Sequence, residues 1–203
     1  VRDVVGPGRR LMVDCHWRFD ESTATALVHT SAEFGLHWIE CPLPEIDTNI
    51  DALVRLRRLA NSHGIRLAGL EQGVRFEAFR PYCEAGAYDV VMPDVKYFGG
   101  LRQMLDSAAQ FARHGVMFSP HNPTGPICHA ASLQIAAAAT SFDMLEVQFD
   151  ESPLFDHLVK DGFGPVVNGH CQLPAGAGLG VALENTVLQA HAQHDAMAFP
   201  GTA

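Results

Sequence analysis

The 203-residue chain is 47% hydrophobic and carries 23 acidic against 14 basic residues, a formal net charge of −9. That length and apolar content suffice for the core of one domain, and the acidic balance, without a basic cluster or interleaved aromatics, argues against nucleic acid as a partner. No apolar run approaches the roughly 20 residues that cross a bilayer, and the five scattered cysteines lack a CxxC spacing, so no membrane partner and a reducing, cytoplasmic setting are expected.

The first residues, VRDVVGPGRR, read as the last turn of a helix closed by Gly-Pro-Gly and contain no apolar leader core; the chain is expected to begin within something larger. LMVDCH follows as a strand ending in Asp14 and His16, and ESTATALVHTSAEFG has apolar positions at helical spacing with Gly35 to close it. The couple then recurs. LHWIECP carries Glu40 ahead of the helical IDALVRLRRLANSHG, and RLAGLEQ carries Glu71 ahead of FEAFRPYCEAGA. VVMPD brings Asp94 ahead of LRQMLDSAAQFARHG, VMFSPH brings His121 ahead of CHAASLQIAAAAT, and DMLEVQF brings Glu146. Beyond it, residues 151–203 begin rich in Gly and Pro and read as an extended segment wrapping the body, with a short helix in ALENTVLQAHAQH.

Six apolar runs thus each end in an ionisable residue, roughly every 25 to 30 residues, the spacing that a strand, a return helix and their loops require. Strands alternating with helices imply a parallel sheet wound in one direction, and reactive residues at strand C-termini are the pattern of a βα-barrel active site. Each acid alone would read as a helix cap or a solvated loop charge. Their recurrence at strand ends points instead to an enzyme.

The motifs VDCHWRFD, WIECPLPE, MPDVKYFGG, SPHNPTGP and LPAGAGLGV, with the Glu71 strand between them, resemble the barrel domain of the enolase superfamily in its mandelate racemase subgroup. The resemblance runs over nearly the whole chain. It implies an α/β fold, the (β/α)8 TIM-barrel domain, here incomplete: about six βα units standing for strands three to eight in residues 1–150, then the tail in residues 151–203. The first two strands and an N-terminal capping domain are expected to be absent, which would leave unpaired sheet edges.

The same resemblance makes Asp14, Glu40 and Glu71 the carboxylate ligands of Mg²⁺, a hard octahedral cation that favours oxygen donors and keeps positions open for substrate. An all-oxygen site leaves Cys15 and Cys41 without a binding role. Asp94 and His121 match a dyad in which the carboxylate fixes the imidazole tautomer and raises its basicity, so that His121 takes the proton beside the substrate carboxylate. The cation then meets the charge of the resulting enediolate.

His16 matches the acid that protonates a departing β-hydroxyl in galactonate dehydratase-like acid-sugar dehydratases, where nearby carboxylates favour its charged form; a merely packed or ligand-orienting His is the other reading. Strands three and seven face each other across a barrel, so anti elimination to a 2-keto-3-deoxy acid is expected. Glu146 matches the group that hydrogen-bonds the substrate carboxylate or enediolate, and Arg18 and Asn122 are expected substrate contacts. Lys96 reads either as an ion-pair partner of Asp94 or as a catalytic group, while His63, His114 and His129 read as surface residues.

The function implied is a magnesium-dependent dehydratase of a small-molecule acid sugar, homo-oligomeric as the complete protein. Two alternatives stay open: a racemase or epimerase of a 2-hydroxy acid using the same proton abstraction, and a non-catalytic barrel fragment.

Overall fold

The computed structural model describes residues 1–149 and 152–192. After a short helix α1 (Arg2–Val5), the strands β1 (Met12–Asp14), β2 (Trp38–Glu40), β3 (Arg66–Gly69), β4 (Val90–Val91) and β5 (Met117–Phe118) form one parallel sheet in the order of the chain. Each strand is returned by a helix: α2 (Glu21–Ser31), α3 (Ile50–Ser62), α4 (Arg75–Ala85), then α5 (Val95–Phe98) with α6 (Leu101–Arg113), and α7 (Pro126–Ala138) after β5. The longer helices pack side by side, α2 on α3, α3 on α4, α4 on α6 and α6 on α7, which is one-directional winding.

Local sequence explains the helices. Asp20 caps α2 by accepting from the Thr23 amide at 2.8 Å, and α3 buries Ala52, Leu53, Leu56 and Ala60 on one face. Strand alternation divides the side chains of the sheet into two layers. Ile39, Leu67, Val91 and Phe118 point into the main core beneath the helices, with Leu53, Phe79, Phe98 and Phe111. Trp38, Ala68, Val90 and Met92 form a smaller cluster on the other face, against Met117 and Met144. Glu40 shares that inner face with Trp38 because they are two residues apart.

The sixth expected strand does not form as a ladder. A single parallel bridge joins Phe118 to Phe142, in which the Phe118 amide donates to Ser141 and the Asp143 amide donates to Phe118, both at 2.9 Å. The next rung needs a donor at Pro120, which has no N–H. The Ser119 hydroxyl donates to the Met144 carbonyl at 2.6 Å instead, so residues 142–146 still run beside β5. The inner face is therefore walled by five strands and one side-chain-tethered segment.

Beyond it lie α8 (Leu154–His157) and α9 (Asn185–His191), the latter within the expected helix, whose residues 193 and 194 fall outside those described. The expected boundary at residues 150 and 151 also falls outside them. The Gly-rich tail leans on the barrel, with Leu179 packed on the core and accepting from Gln134. No helix among the described residues is long and apolar enough to cross a membrane.

Gly69 ends β3 where two loops close on it. A Cβ there would sit 2.5 Å from Glu45 Oε1 and 2.9 Å from the Tyr88 ring. Gly69→Ala is therefore expected to cost about 1–3 kcal/mol of stability, read by urea unfolding of this chain; a change under about 0.5 kcal/mol would mean that Glu45 moves aside freely.

Candidate metal centre and catalytic dyad

The parallel register sets the strand ends level, with Asp14 opposite Glu40 and Glu40 opposite Ala68. The backbone then turns abruptly: His16, Trp17, Cys41 and Leu70 all have positive φ, of 48°, 58°, 43° and 69°. Left-handed geometry at non-glycine residues is uncommon and collects at functional sites. Here it folds the ends of β1, β2 and β3 over one another. Asp14, Glu40, Glu71 and Cys41 each present a donor atom, all within 4.8 Å of one another.

The donor set fits a hard divalent cation. Mg–O bonds of about 2.1 Å place octahedral oxygens roughly 3 to 4 Å apart, so a small closure of the carboxylates suffices. Asp14 is half-exposed, but Glu40 and Glu71 are buried, Glu71 to 3% exposure. Burial pushes the Glu40 carboxyl up to about 8 despite the Trp38 N–H that donates to it at 2.9 Å, and the charges of Glu146, Asp14 and Glu71 add to the rise. A carboxylate so placed calls for a cation beside it.

His121 and Asp94 meet as expected. His121 Nδ1 lies 2.9 Å from Asp94 Oδ2, and Asp94 is fully buried. Asp94 also caps α5 by accepting from the Lys96 amide at 2.8 Å, and its Oδ2 pairs with Lys96 Nζ at 2.9 Å. Lys96 is thus the ion-pair partner. Burial works against the Asp94 charge, but His121 and Lys96 outweigh it and hold the carboxyl below its usual range. Burial likewise works against a charged His121, yet the bond to Asp94 and the charges of Glu71 and Glu146 raise its pKa. With Nδ1 committed to Asp94, Nε2 faces Glu71 Oε2 at 3.3 Å. That nitrogen can take a proton at the edge of the carboxylate cluster.

His16 stands beside Asp14, its amide donating to Oδ1 at 2.8 Å and its ring Nδ1 3.8 Å from Oδ2. It is exposed and tilted against Trp17, with Arg18 exposed on the same loop. Since β1 and β5 end the strand order, His16 and His121 enter from opposite ends of the sheet.

Asn122 is placed against Glu146. It is 2% exposed; its amide donates to Glu146 Oε2 at 3.1 Å, and its side-chain nitrogen lies 2.9 Å from the Glu146 carbonyl and 2.8 Å from His129 Nδ1. These bonds fix Glu146 in place. Burial raises the pKa of Glu146 against that amide bond. His129 is not a surface residue: it is 4% exposed and meets Phe155 and Phe163 edge-on. With Leu133 it lies on the face of α7 that Phe155 and Phe163 cover, away from Ala131 and Ile135, which pack in the main core. His63 and His114 are exposed. Glu45, also unassigned by the motifs, lies behind the cluster and accepts from the Leu70 amide at 2.6 Å and the Tyr88 hydroxyl at 2.9 Å.

Residues 1–187 match the family described as Enolase C-terminal domain-like. The chain belongs to that family. Its parallel sheet with outer helices is part of the enolase-type (β/α)8 barrel. It is 33% identical over 188 residues to an L-rhamnonate dehydratase of Saccharopolyspora erythraea, covering 92% of this chain and 47% of that protein. It is 28% identical to a D-xylonate dehydratase of Haloferax volcanii, over 94% of this chain and 45% of that one. A D-galactarolactone cycloisomerase of Agrobacterium fabrum is 30% identical, over 93% and 50%. Among solved structures, a mandelate racemase/muconate lactonizing enzyme-like protein of Rubrobacter xylanophilus superposes with a TM-score of 0.84 at 31% identity, over 95% of this chain and 48% of that one. The chain spans about half the length of these relatives.

In this enolase-family chain the raised acids make stability depend on pH. Glu40 ordinarily titrates at 4.5 and in the fold at about 8, so its contribution is complete below the lower value and is lost as pH rises through the higher one. His121, also raised, acts in the same direction, whereas Asp94, lowered, matters only in acid. With chelator present, Glu40→Gln is expected to lose less melting temperature than wild type between about pH 5 and about pH 8, since burial lowers the pKa of His37 and His129 and these act the other way in both proteins. A difference between wild type and Glu40→Gln that is level across this window would contradict the assignment.

Proposed function

We propose that the complete protein is a magnesium-dependent dehydratase of an acid sugar, acting in the cytoplasm. The observation that carries the reading is the pair of histidines flanking one carboxylate cluster: His121 Nε2 lies 3.3 Å from Glu71 at one end, and His16 Nδ1 lies 3.8 Å from Asp14 at the other. The relatives named as dehydratases of L-rhamnonate and D-xylonate support the same reaction class.

His121 Nε2 removes the proton from the carbon next to the substrate carboxylate, and Asp94, bonded to Nδ1, stabilises the imidazolium that forms. Asp14, Glu40 and Glu71 would hold Mg²⁺, which would supply positive charge against the negative charge that develops on the substrate carboxylate. Glu146, inclined to hold its proton, donates a hydrogen bond to a carboxylate oxygen, and Asn122 keeps it oriented. His16 gives a proton to the β-hydroxyl as the C–O bond breaks; water leaves, and the enol product tautomerises to the 2-keto-3-deoxy acid. Arg18, on the His16 loop, offers a charge to the remaining hydroxyls. Entry of base and acid from opposite ends supports anti elimination.

A second reading, racemisation or epimerisation beside a carboxylate, is favoured by the same opposition of His16 and His121, since two bases on opposite faces are what it needs.

The test is the complete protein with Mg²⁺ and a panel of acid sugars, assayed for 2-keto acid. His121→Ala is expected to lower turnover by on the order of 10²- to 10⁴-fold. His16→Ala is expected to stop dehydration while solvent deuterium still enters at the α-carbon. Dehydration undiminished in His16→Ala would remove its role as acid, and α-carbon exchange with no keto acid from any substrate would favour the epimerase.

A further inference from the structure

A magnesium site built from Asp14, Glu40 and Glu71 makes no use of the sulfur that stands among them. Cys41 follows Glu40 directly, so strand alternation would send its side chain to the opposite face, as it does Cys15 after Asp14, which packs into the core beneath the helices. The φ of +43° at Cys41 turns it back. Its Sγ ends 3.2 Å from Glu71 Oε1 and 3.7 Å from Glu45 Oε1, with no exposed surface. It is a member of the same group of donors as Asp14, Glu40 and Glu71.

We propose that this cage has a second mode, in which a thiophilic divalent cation such as Zn²⁺ or Cd²⁺ binds through Cys41 Sγ together with the Asp14, Glu40 and Glu71 carboxylates, in competition with Mg²⁺. The inference rests on reading the three carboxylates as a cation site. Mg²⁺ takes oxygen donors and leaves the Cys41 thiol as a hydrogen-bond donor to Glu71. A softer cation gains from sulfur, and one thiolate with three carboxylates is a complete tetrahedral set. On binding, the S–H bond breaks heterolytically, the proton leaves to solvent, and the sulfur pair forms the metal bond; nothing is oxidised or reduced. Four protein donors leave no position open for substrate, so this mode excludes the reaction that Mg²⁺ supports.

The experiment is a Cd²⁺ titration of this chain followed by thiolate-to-metal charge-transfer absorption in the ultraviolet, beside a thermal melt with Mg²⁺. Wild type and Cys15→Ala are expected to develop the band. Cys41→Ser is expected to lose it and to bind Cd²⁺ at least about tenfold more weakly, while keeping the Mg²⁺-induced rise in melting temperature. Pre-loading wild type with Cd²⁺ should abolish that rise. A band that persists in Cys41→Ser, or that follows Cys15, overturns the inference. Should Cys41→Ser fail to fold, cadmium NMR of the wild-type chain reads sulfur in the coordination sphere directly, and an oxygen-only signal overturns it. A Mg²⁺ rise without any thiolate band defeats the role of Cys41 alone; no rise with Mg²⁺ defeats the reading beneath it.

Discussion

Burial of carboxylates beside one another at the ends of adjacent parallel strands is the constraint around which this site is arranged. Asp14 and Glu40 are level in the register, and the chain reversal at Leu70 brings Glu71 over them. Water screens Asp14 but scarcely reaches Glu71. Like charges in such surroundings are held by neighbours that donate or carry positive charge: the Trp38 indole on Glu40, the Cys41 thiol and His121 ring on Glu71. The same group of donors could hold a cation.

Asp94 obeys the opposite rule. It is more deeply buried than any of the cluster acids, yet it stays ionised because Lys96 Nζ and His121 Nδ1 share its Oδ2 while the Lys96 amide takes Oδ1. One short helix, α5, makes this possible by offering its N-terminus to the carboxylate that caps it. The same contacts fix the rotation of His121, so the direction of its Nε2 follows from backbone geometry several residues upstream.

The expected sixth strand and the unexpected burial of His129 are two sides of one arrangement. Pro120 denies the last segment its next rung, and the side chains of Ser119 and Asn122 replace the missing backbone donor. Asn122 can do so because His129 receives one of its side-chain hydrogens from within α7. Glu146 is thereby held by a side-chain relay where the other site residues sit on or directly after regular strands. The relatives, at similar identity, include dehydratases and a cycloisomerase. The barrel core is therefore common ground for proteins named for different reactions.

The order of βα units and the ionisable residues at strand ends were legible in the sequence because they depend on local periodicity and residue type, both of which survive without knowledge of neighbours; the grouping of Asp14, Glu40 and Glu71 and the pairing of Asp94 with His121 followed from the resemblance to the enolase superfamily. VMPD and SPH end apolar runs, and parallel winding brings such ends together whatever the loops do. Three things depended on tertiary structure. Cys41 joins the cluster only because one left-handed φ reverses its direction. Asn122 turns inward only because His129 and Glu146 are there to meet it. The ladder at residues 142–146 stops because Pro120 falls on the one rung where a donor was needed, and that register exists only once the two segments lie side by side.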